Sequence, residues 1–293
     1  MRLKVFLCLG LLSACSAPEA VNSTPELATE TAATVIQAPP QLVQAWSTSG
    51  FSAPEGVATY KDTLFISNVV GEPSGKDALG WISRVAMDGT MIEERWVEGM
   101  NAPKGMDVRG NILFVTDIDA YHTINADTGE IINTFDVPEA GFLNDVTLWN
   151  QGIFASDSTS GTIFQLDENG YKAWRDGADL NGTNGLLADG DNMLIATMGG
   201  GGLLLSTSWD GTLTEIARGM DNADGIAMLD DGSYLVSSWS GKIWHVIEDG
   251  SIMALVDTEA EGILQNDLTR SGNLIIVPNM GSDTVTAWRL END

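Results

Sequence analysis

The sequence predicts an all-β fold, a six-bladed β-propeller in which an N-terminal strand completes the last blade and closes the ring. Three observations predict it: a polar start motif that recurs six times, β-prone segments at fixed places after each start, and tight-turn signals between those segments. Four antiparallel strands in a unit of about 40 residues, repeated along the chain, are typical of propeller blades.

The repeat is defined by its start: a polar residue, then Gly or Asp, then an aliphatic residue. Four consecutive starts follow one another at intervals of 40 residues. Such regular spacing indicates one structural unit per interval. The six starts are Glu55-Gly56-Val57, Lys104-Gly105-Met106, Asn144-Asp145-Val146, Asn184-Gly185-Leu186, Asp224-Gly225-Ile226 and Asn266-Asp267-Leu268.

Each start precedes further strand segments and a hairpin signal. In the first unit these are the β-prone residues 64–67 and 81–85, followed by the turn pair Asp88-Gly89. The sixth unit ends after its third strand, at 284–290, without a turn or a fourth strand. We expect residues 41–47 to supply the missing strand, because ring closure removes exposed strand edges.

The N-terminus predicts an exported lipoprotein. Residues 1–15 combine Arg2 and Lys4 with a short apolar stretch and end in Leu12-Ser13-Ala14-Cys15, which resembles a bacterial lipobox with Cys15 as the lipidated residue. The alternative is an ordinary signal peptide with an incidental cysteine. Residues 16–40 are predicted to be a flexible tether and 41–293 the propeller. By resemblance to enterobacterial sorting, we expect an outer-membrane anchor with the propeller facing the periplasm.

The charge balance limits the partners. Lys and Arg total 14 against 41 Asp and Glu, a formal net charge of −27. Such a field repels nucleic acid and anionic lipid headgroups, so we expect no nucleic-acid partner and membrane contact only through the N-terminal lipid. It favours cations, although an acidic surface can also serve solubility alone. We expect a monomer that acts on a small-molecule substrate.

The six leading residues are the candidate functional site. Propeller topology brings the start of every innermost strand to one end of the central channel, so these residues should form a ring there. Their carboxylate and amide oxygens suit Ca²⁺ or a similar divalent cation. Zinc is not expected, because both cysteines precede residue 16 and the chain has two histidines. In the alternative arrangement, Lys104 replaces the cation by pairing directly with Glu55 or Asp224.

At these motifs the chain resembles the SMP-30/gluconolactonase/strictosidine-synthase-like propellers, the calcium-dependent phosphotriesterase-like family. The resemblance covers about residues 41–293. It implies that Glu55, Asn184 and Asp224 hold a Ca²⁺ ion and that Asn144 faces the substrate or the metal. The chain departs from gluconolactonase-like members at Phe142, where an Arg often stands, which argues against sugar-acid lactones.

Two functions follow as hypotheses. The first is a Ca²⁺-dependent hydrolase of lactones or related esters, in which Asp224 or a metal-activated water is the base and Asn144 acts beside it. In this hypothesis the substrate-binding residues are Asn144, Asn266, Lys104, Tyr121 and Trp239, with the long loop 68–80 beside them. The second is a non-catalytic periplasmic propeller that binds a peptide, glycan or partner through Asp157, Trp239 and Tyr121.

Overall fold

A computed structural model of the protein describes residues 39–167 and 169–291. The predicted signal segment with Cys15 and the tether up to residue 38 lie outside the described residues. The described part contains six four-stranded antiparallel sheets, as predicted. Two single-turn 3-10 helices, Ala178–Leu180 and Met280–Ser282, occur in loops. No helix within these ranges is long and apolar enough to cross a membrane.

Each sheet is one blade, with its strands numbered from the innermost outwards except in the last. Before the first complete blade comes β1 (Gln41–Ser49). Blade 1 contains β2 (Pro54–Tyr60), β3 (Thr63–Asn68), β4 (Gly80–Ala86) and β5 (Met91–Met100). Blade 2 contains β6 (Pro103–Arg109), β7 (Ile112–Asp117), β8 (Ala120–Asn125) and β9 (Ile131–Asp136). Blade 3 contains β10 (Leu143–Thr147), β11 (Ile153–Asp157), β12 (Thr162–Asp167) and β13 (Gly170–Asp176). Blade 4 contains β14 (Thr183–Asp189), β15 (Asn192–Thr197), β16 (Leu203–Ser208) and β17 (Leu213–Arg218). Blade 5 contains β18 (Ala223–Met228), β19 (Tyr234–Ser238), β20 (Lys242–Val246) and β21 (Ile252–Asp257). Blade 6 contains β22 (Thr269–Ser271), β23 (Leu274–Asn279), β24 (Thr284–Glu291) and, outermost, β1.

Ring closure by the N-terminal strand is confirmed. Strand β1 pairs antiparallel with β24 from Gln41 opposite Glu291 to Ser49 opposite Thr284. Strands near the two ends of the described chain thus join within one sheet, and β1 covers the edge of β24 that would otherwise be unpaired. Blade 6 differs from the others at its inner end, because β22 has only three residues and begins after the start motif at Asn266.

The hydrophobic core is divided among the spaces between neighbouring blades. Between blades 1 and 2, for example, Phe65 and Ile82 pack with Leu113 and Ile124, and all four are fully buried. Equivalent apolar clusters lie at the other five blade contacts. Burying one such side chain contributes about 1.5–3 kcal/mol, so the contacts between blades hold the ring together.

A β-bulge at the start of the inner strand positions each leading polar residue. In blade 1 the pair Pro54–Asn68 is followed by the pair Val57–Ile66, so β2 contains one residue more than β3 over this step. The same register shift occurs in β6, β10, β14 and β18. A bulge redirects a side chain relative to the regular alternation. Each leading residue of blades 1 to 5 therefore lies at the same irregularity.

Candidate functional site

The channel end formed by the start motifs is built by close approach of the inner strands. A Cβ added to Gly185 would lie 2.0 Å from the backbone oxygen of Asp224, and one added to Gly56 would lie 2.3 Å from that of Lys104. Real Cβ atoms need more than 3 Å, so glycine is required for the strands to come this close. The second position of the motif thus sets how near the leading residues stand to one another.

All six predicted ring residues are buried, each with an exposed fraction of 5% or less. Polar side chains at this level of burial normally have hydrogen-bond partners within the protein. Electrostatic coupling links Glu55 with Lys104 and Asp224, so the structure brings at least these three together. The ring members are Glu55, Lys104, Asn144, Asn184, Asp224 and Asn266.

The predicted metal ligands retain free acceptor atoms. The Oδ1 atom of Asn184 is buried and has no hydrogen-bond partner among the residues that the structure describes. The Glu55 carboxylate accepts no hydrogen bond from any residue in the described ranges. Asp224 differs, because its Oδ2 accepts a 2.6 Å hydrogen bond from Nε1 of Trp239. Unused buried acceptors are costly, and a bound cation is one way to satisfy them.

Burial also changes the acidity of these carboxyl groups. Desolvation raises the pKa of Glu55 from 4.5 to about 7, against the lowering effect of the Lys104 charge. Desolvation, together with the Glu55 charge, raises the pKa of Asp224 well above its usual range, while the bond from Trp239 opposes this shift. Without a positive guest, both groups therefore hold protons at higher pH than an exposed carboxyl group would.

Lys104 does not form the direct ion pair that the alternative arrangement required. Its ammonium has no carboxylate oxygen within 4.0 Å in residues 39–167 and 169–291 and makes no hydrogen bond there. It lies instead 4.5 Å from the centre of the Phe142 ring. Desolvation lowers the pKa of Lys104, and the charges of Glu55, Asp117 and Asp224 oppose this from a greater distance.

Two amides of the ring are fixed by neighbouring loops. The Nδ2 atom of Asn144 donates to Oγ of Ser158 at 3.0 Å. The Oδ1 atom of Asn266 accepts from the backbone N–H of Met280 at 3.0 Å, and its Nδ2 atom is buried without a partner. Asn144 thus keeps an acceptor for a guest and Asn266 keeps a donor.

Of the two predicted aromatic wall residues, only Trp239 reaches the ring, where it bonds to Asp224. The prediction for Tyr121 is wrong. Its side chain is 2% exposed, stacks on Phe135 with ring centres 4.7 Å apart, and donates a 2.6 Å hydrogen bond to the backbone oxygen of Asp167. Tyr121 belongs to the packing between blades 2 and 3.

Asp157, predicted for the binding alternative, has a structural environment. It is fully buried and its two carboxylate oxygens accept hydrogen bonds from four backbone N–H groups. These donors belong to the two loops at this end of blade 3. Its carboxylate therefore joins the loops and is not directed towards a partner.

An apolar cluster that the sequence did not reveal surrounds Phe142. Val69, Ala102 and Ile118 are buried there, and Phe142 and Met280 pack against them. These residues come from the ends of blades 1, 2, 3 and 6, so no local pattern joins them. The cluster provides an apolar surface next to Lys104 and to the loop that holds Asn266.

Two further acidic groups in the channel were also missed by the sequence analysis. Asp145 and Asp267 occupy the second position of the motif, where four other blades have glycine. Asp145 accepts the backbone N–H of Leu186 at 2.6 Å, and Asp267 accepts that of Val57 at 3.2 Å. Each carboxylate thereby joins its blade to the next one, and Asp267 joins the last blade to the first.

The pKa of each of these two groups is raised well above its usual range, chiefly by burial and then by neighbouring carboxylates. Both also line a cavity of about 230 Å³ within the channel. Its other walls come from the same inner strands and include Val57, Met106, Leu186, Ile226 and Leu268. The aspartate in place of glycine is the sequence signal that could have identified them.

The fold of this chain, a six-bladed β-propeller, is similar to that of many solved structures. A gluconolactonase from Xanthomonas campestris is similar over 87% of this chain and 95% of its own, with a TM-score of 0.65 and 15% identity. Virginiamycin B lyase from Staphylococcus aureus, solved with quinupristin, is similar over 86% of this chain and 99% of its own, with a TM-score of 0.60 and 15% identity. A chain of a nidogen/laminin complex is similar over 72% of this chain and 86% of its own, with a TM-score of 0.62 and 15% identity.

These similarities fit the resemblance that the motifs indicated, since gluconolactonases are among the structures found. At 15% identity they establish the shared fold. In sequence, no family profile and no curated protein matches this chain.

The residues present fit a divalent cation in part. Glu55 and Asn184 offer unused oxygens, and Asp224 offers one oxygen beside the bond from Trp239. Hard oxygen ligands of this kind suit Ca²⁺, with water filling the remaining positions. No cluster of three His, Cys, Asp or Glu side chains that could hold a metal occurs in the described ranges. The predicted ligand set of Glu55, Asn184 and Asp224 falls outside this definition, because it contains two acidic residues and one asparagine.

Proposed function

We propose that the protein is a divalent-cation-dependent hydrolase of lactones or related esters, acting at the channel end that carries the six leading residues. The observation that carries this proposal is the unpartnered Oδ1 of Asn184 together with the unbonded carboxylate of Glu55. With Asp224 they make a set of three oxygen donors on blades 1, 4 and 5. The cation we propose is Ca²⁺, which when bound would polarise the carbonyl group of the substrate.

In this proposal Asp224 is the general base. Its Oδ2, which accepts the 2.6 Å hydrogen bond from Trp239, would also contact the cation, and Oδ1 would accept a proton from the attacking water. The positive charge of a bound cation would lower the pKa of Asp224, which burial otherwise raises, and would keep its carboxylate ionised for this role. Asn144 is anchored through Nδ2 to Ser158, so its oxygen is oriented towards the substrate.

The apolar cluster around Phe142 supplies a surface for the non-reacting part of the substrate. Val69 and Met280 belong to it and lie in loops at the same end of blades 1 and 6. Lactones and aryl esters combine a polar reacting group with an apolar body. The polar ring would contact the first and the apolar cluster around Phe142 the second. Export, lipid attachment at Cys15, an outer-membrane location facing the periplasm and a monomeric state remain part of the proposal.

Calcium titration of the isolated propeller against a panel of lactones and aryl esters tests this function. We expect calcium-dependent turnover that falls by at least about 100-fold in Glu55→Gln, since that change removes a charged ligand. Glu98→Gln is the matched control, because Glu98 is exposed on the outer strand of blade 1. Turnover that is absent, or that survives in Glu55→Gln, would contradict the proposal.

A non-catalytic binding role is the second candidate, and one observation favours it. The same fold occurs in a chain of a nidogen/laminin complex. Two of the three residues predicted for this role are committed elsewhere, because Tyr121 is in the core and Asp157 joins two loops. Pull-down from periplasmic and envelope extracts, with crosslinking, tests this alternative, and stoichiometric calcium in the purified protein would favour the hydrolase.

A further inference from the structure

The Lys104 side chain is a buried cation without a counter-ion. It is 1% exposed, yet its ammonium makes neither an ion pair nor a hydrogen bond with a residue in 39–167 or 169–291. Burying an ionised group costs several kcal/mol unless a partner and hydrogen bonds compensate for it. Three N–H donors at the channel end therefore lack an acceptor from this chain.

The groups near Lys104 do not replace the missing counter-ion and hydrogen-bond acceptors of its ammonium. The Phe142 ring, 4.5 Å from Nζ, offers a cation–π contact worth about 0.5–2 kcal/mol, which is less than the cost of burying the charge. The Asp117 carboxylate is already used, because it accepts from the backbone N–H groups of Asn101 and Ala102 and bonds to His122. Glu55 and Asp224 act only from beyond 4.0 Å.

A second hydrogen-bond donor at this channel end also lacks an acceptor. Nδ2 of Asn266 is fully buried and has no hydrogen-bond partner in the described part of the chain. The orientation of this amide is fixed, because the backbone N–H of Met280 requires the oxygen at Oδ1. Lys104 begins blade 2 and Asn266 begins blade 6, and these two blades flank blade 1, which begins with Glu55.

We infer that this channel end binds a carboxylate group of its guest, with the Lys104 ammonium as the charged partner and Asn266 Nδ2 as a second donor. The substrates of the hydrolase are then lactones or esters that carry a free carboxylate. The identity of the guest as a substrate rests on the proposed function, whereas the carboxylate site rests on the two unused donors. The apolar cluster around Phe142 would contact the aliphatic part of the guest.

The net charge of −27 does not forbid an anionic guest. Charges farther away than about 10 Å are largely screened at 0.1 M salt, whereas a contact inside the protein is screened much less. The acidic surface therefore slows the approach of an anion more than it weakens the final contact. A divalent cation at Glu55 and Asp224 would offset both carboxylates and leave the Lys104 charge for the guest.

Binding of butyrate and of its neutral isostere butyramide tests the carboxylate site directly. Ligand-observed NMR on the full propeller, with and without calcium, should give butyrate an affinity at least about 10-fold above that of butyramide. Lys104→Met should lower butyrate affinity by roughly 10- to 100-fold, and Lys104→Arg should retain most of it. The control is Lys61→Met, which removes an exposed lysine in the turn between β2 and β3, at the other end of blade 1, where it pairs with Asp127, and should change nothing.

The inference is overturned if butyrate and butyramide bind alike, if folded wild-type protein binds neither, or if Lys104→Met binds butyrate unchanged. Should Lys104→Met fail to fold by circular dichroism, Lys104→Gln replaces it, and unchanged binding there has the same meaning. Paired lactones with and without a carboxylate separate this inference from the proposed function. Equal hydrolysis of the pair refutes the inference and leaves the hydrolase intact. Butyrate binding through Lys104 without turnover of any lactone supports the carboxylate site and refutes the hydrolase.

Discussion

The substitution Gly185→Ala tests the close approach of inner strands on which the whole site depends. The added Cβ would lie 2.0 Å from the backbone oxygen of Asp224, 2.9 Å from its carbonyl carbon and 3.3 Å from the Cα of Gly225. All three atoms belong to the backbone, so no side-chain rotation can relieve the contact. Strands β14 and β18 would have to separate by about 1 Å to restore an ordinary contact.

Overpacking of this kind costs about 1–3 kcal/mol, and a contact with rigid backbone falls at the upper end of that range. For a domain of this size, 1 kcal/mol lowers the Tm by roughly 2–4 °C, so we expect a decrease of about 6–12 °C. Calcium affinity should also fall, because the displaced backbone belongs to Asp224. Differential scanning calorimetry and calcium titration measure the two effects.

Gly281→Ala is the matched control. Its Cβ would lie 3.4 Å from the side chain of Leu264 and 3.8 Å from the backbone oxygen of Gly262, which are ordinary contacts. Both substitutions lower the conformational entropy of the unfolded chain by a similar amount, so this effect on stability cancels when the two variants are compared. If the two variants have the same Tm, the inner strands are not packed as described and the reasoning is refuted.

Four further predictions follow from the site and the ring. In calcium-free buffer Glu55 alone should lower the stability by about 3 kcal/mol as the pH rises from 4.5 to about 7, because the folded protein keeps a proton on Glu55 that the unfolded chain releases; thermal melts of Glu55→Gln should show a shallower slope, with the remainder due to Asp145, Asp224 and Asp267. Trp239→Phe removes a hydrogen bond that lowers the pKa of Asp224, so the acidic limb of the pH–rate profile should move to higher pH, and an unmoved limb would exclude Asp224 as the base. Tyr121→Phe should cost about 1 kcal/mol of stability through its lost bond to Asp167 while kcat/KM stays unchanged; a large loss of activity would return Tyr121 to the site. A chain that begins at residue 50 lacks β1 and should aggregate or unfold without cooperativity, whereas one that begins at residue 39 should melt in a single transition; equal behaviour of the two would contradict closure through β1.

The repeat made most of the fold predictable. Start motifs at regular intervals gave the number of blades, and the incomplete sixth unit required a strand from the other end of the chain. The number of blades follows because hydrogen bonding within blades 1 to 5 connects segments that are close in the chain, and the closing strand follows because the sixth unit lacks the fourth strand that the other units have. The structure departs from the regular pattern where blade 6 begins, since β22 starts only after Asn266 and Asp267.

For the candidate site, the sequence predicted which residues belong to the ring but not what each side chain contacts. The register of the repeat predicted a ring of the six leading residues, all of which are buried, and only the family resemblance singled out Glu55, Asn184 and Asp224. The contacts of each side chain were not predictable in the same way. Lys104 lies against Phe142 and not beside a carboxylate, and Tyr121 turns into the core.

The sequence by itself determined the architecture, the closing strand and the six leading residues, because these depend on the periodicity of the repeat and on the strand that its sixth copy lacks. Only the tertiary structure decided which of their polar atoms are already bonded. The bonded atoms have their partners in loops or strand ends of their own blades: Asn144 donates to Ser158, Asp224 accepts from Trp239 and Asn266 accepts from the backbone of Met280. The Glu55 carboxylate, Asn184 Oδ1, Asn266 Nδ2 and the Lys104 ammonium have no hydrogen-bond partner among residues 39–167 and 169–291, because the fold of this part of the chain brings none to them.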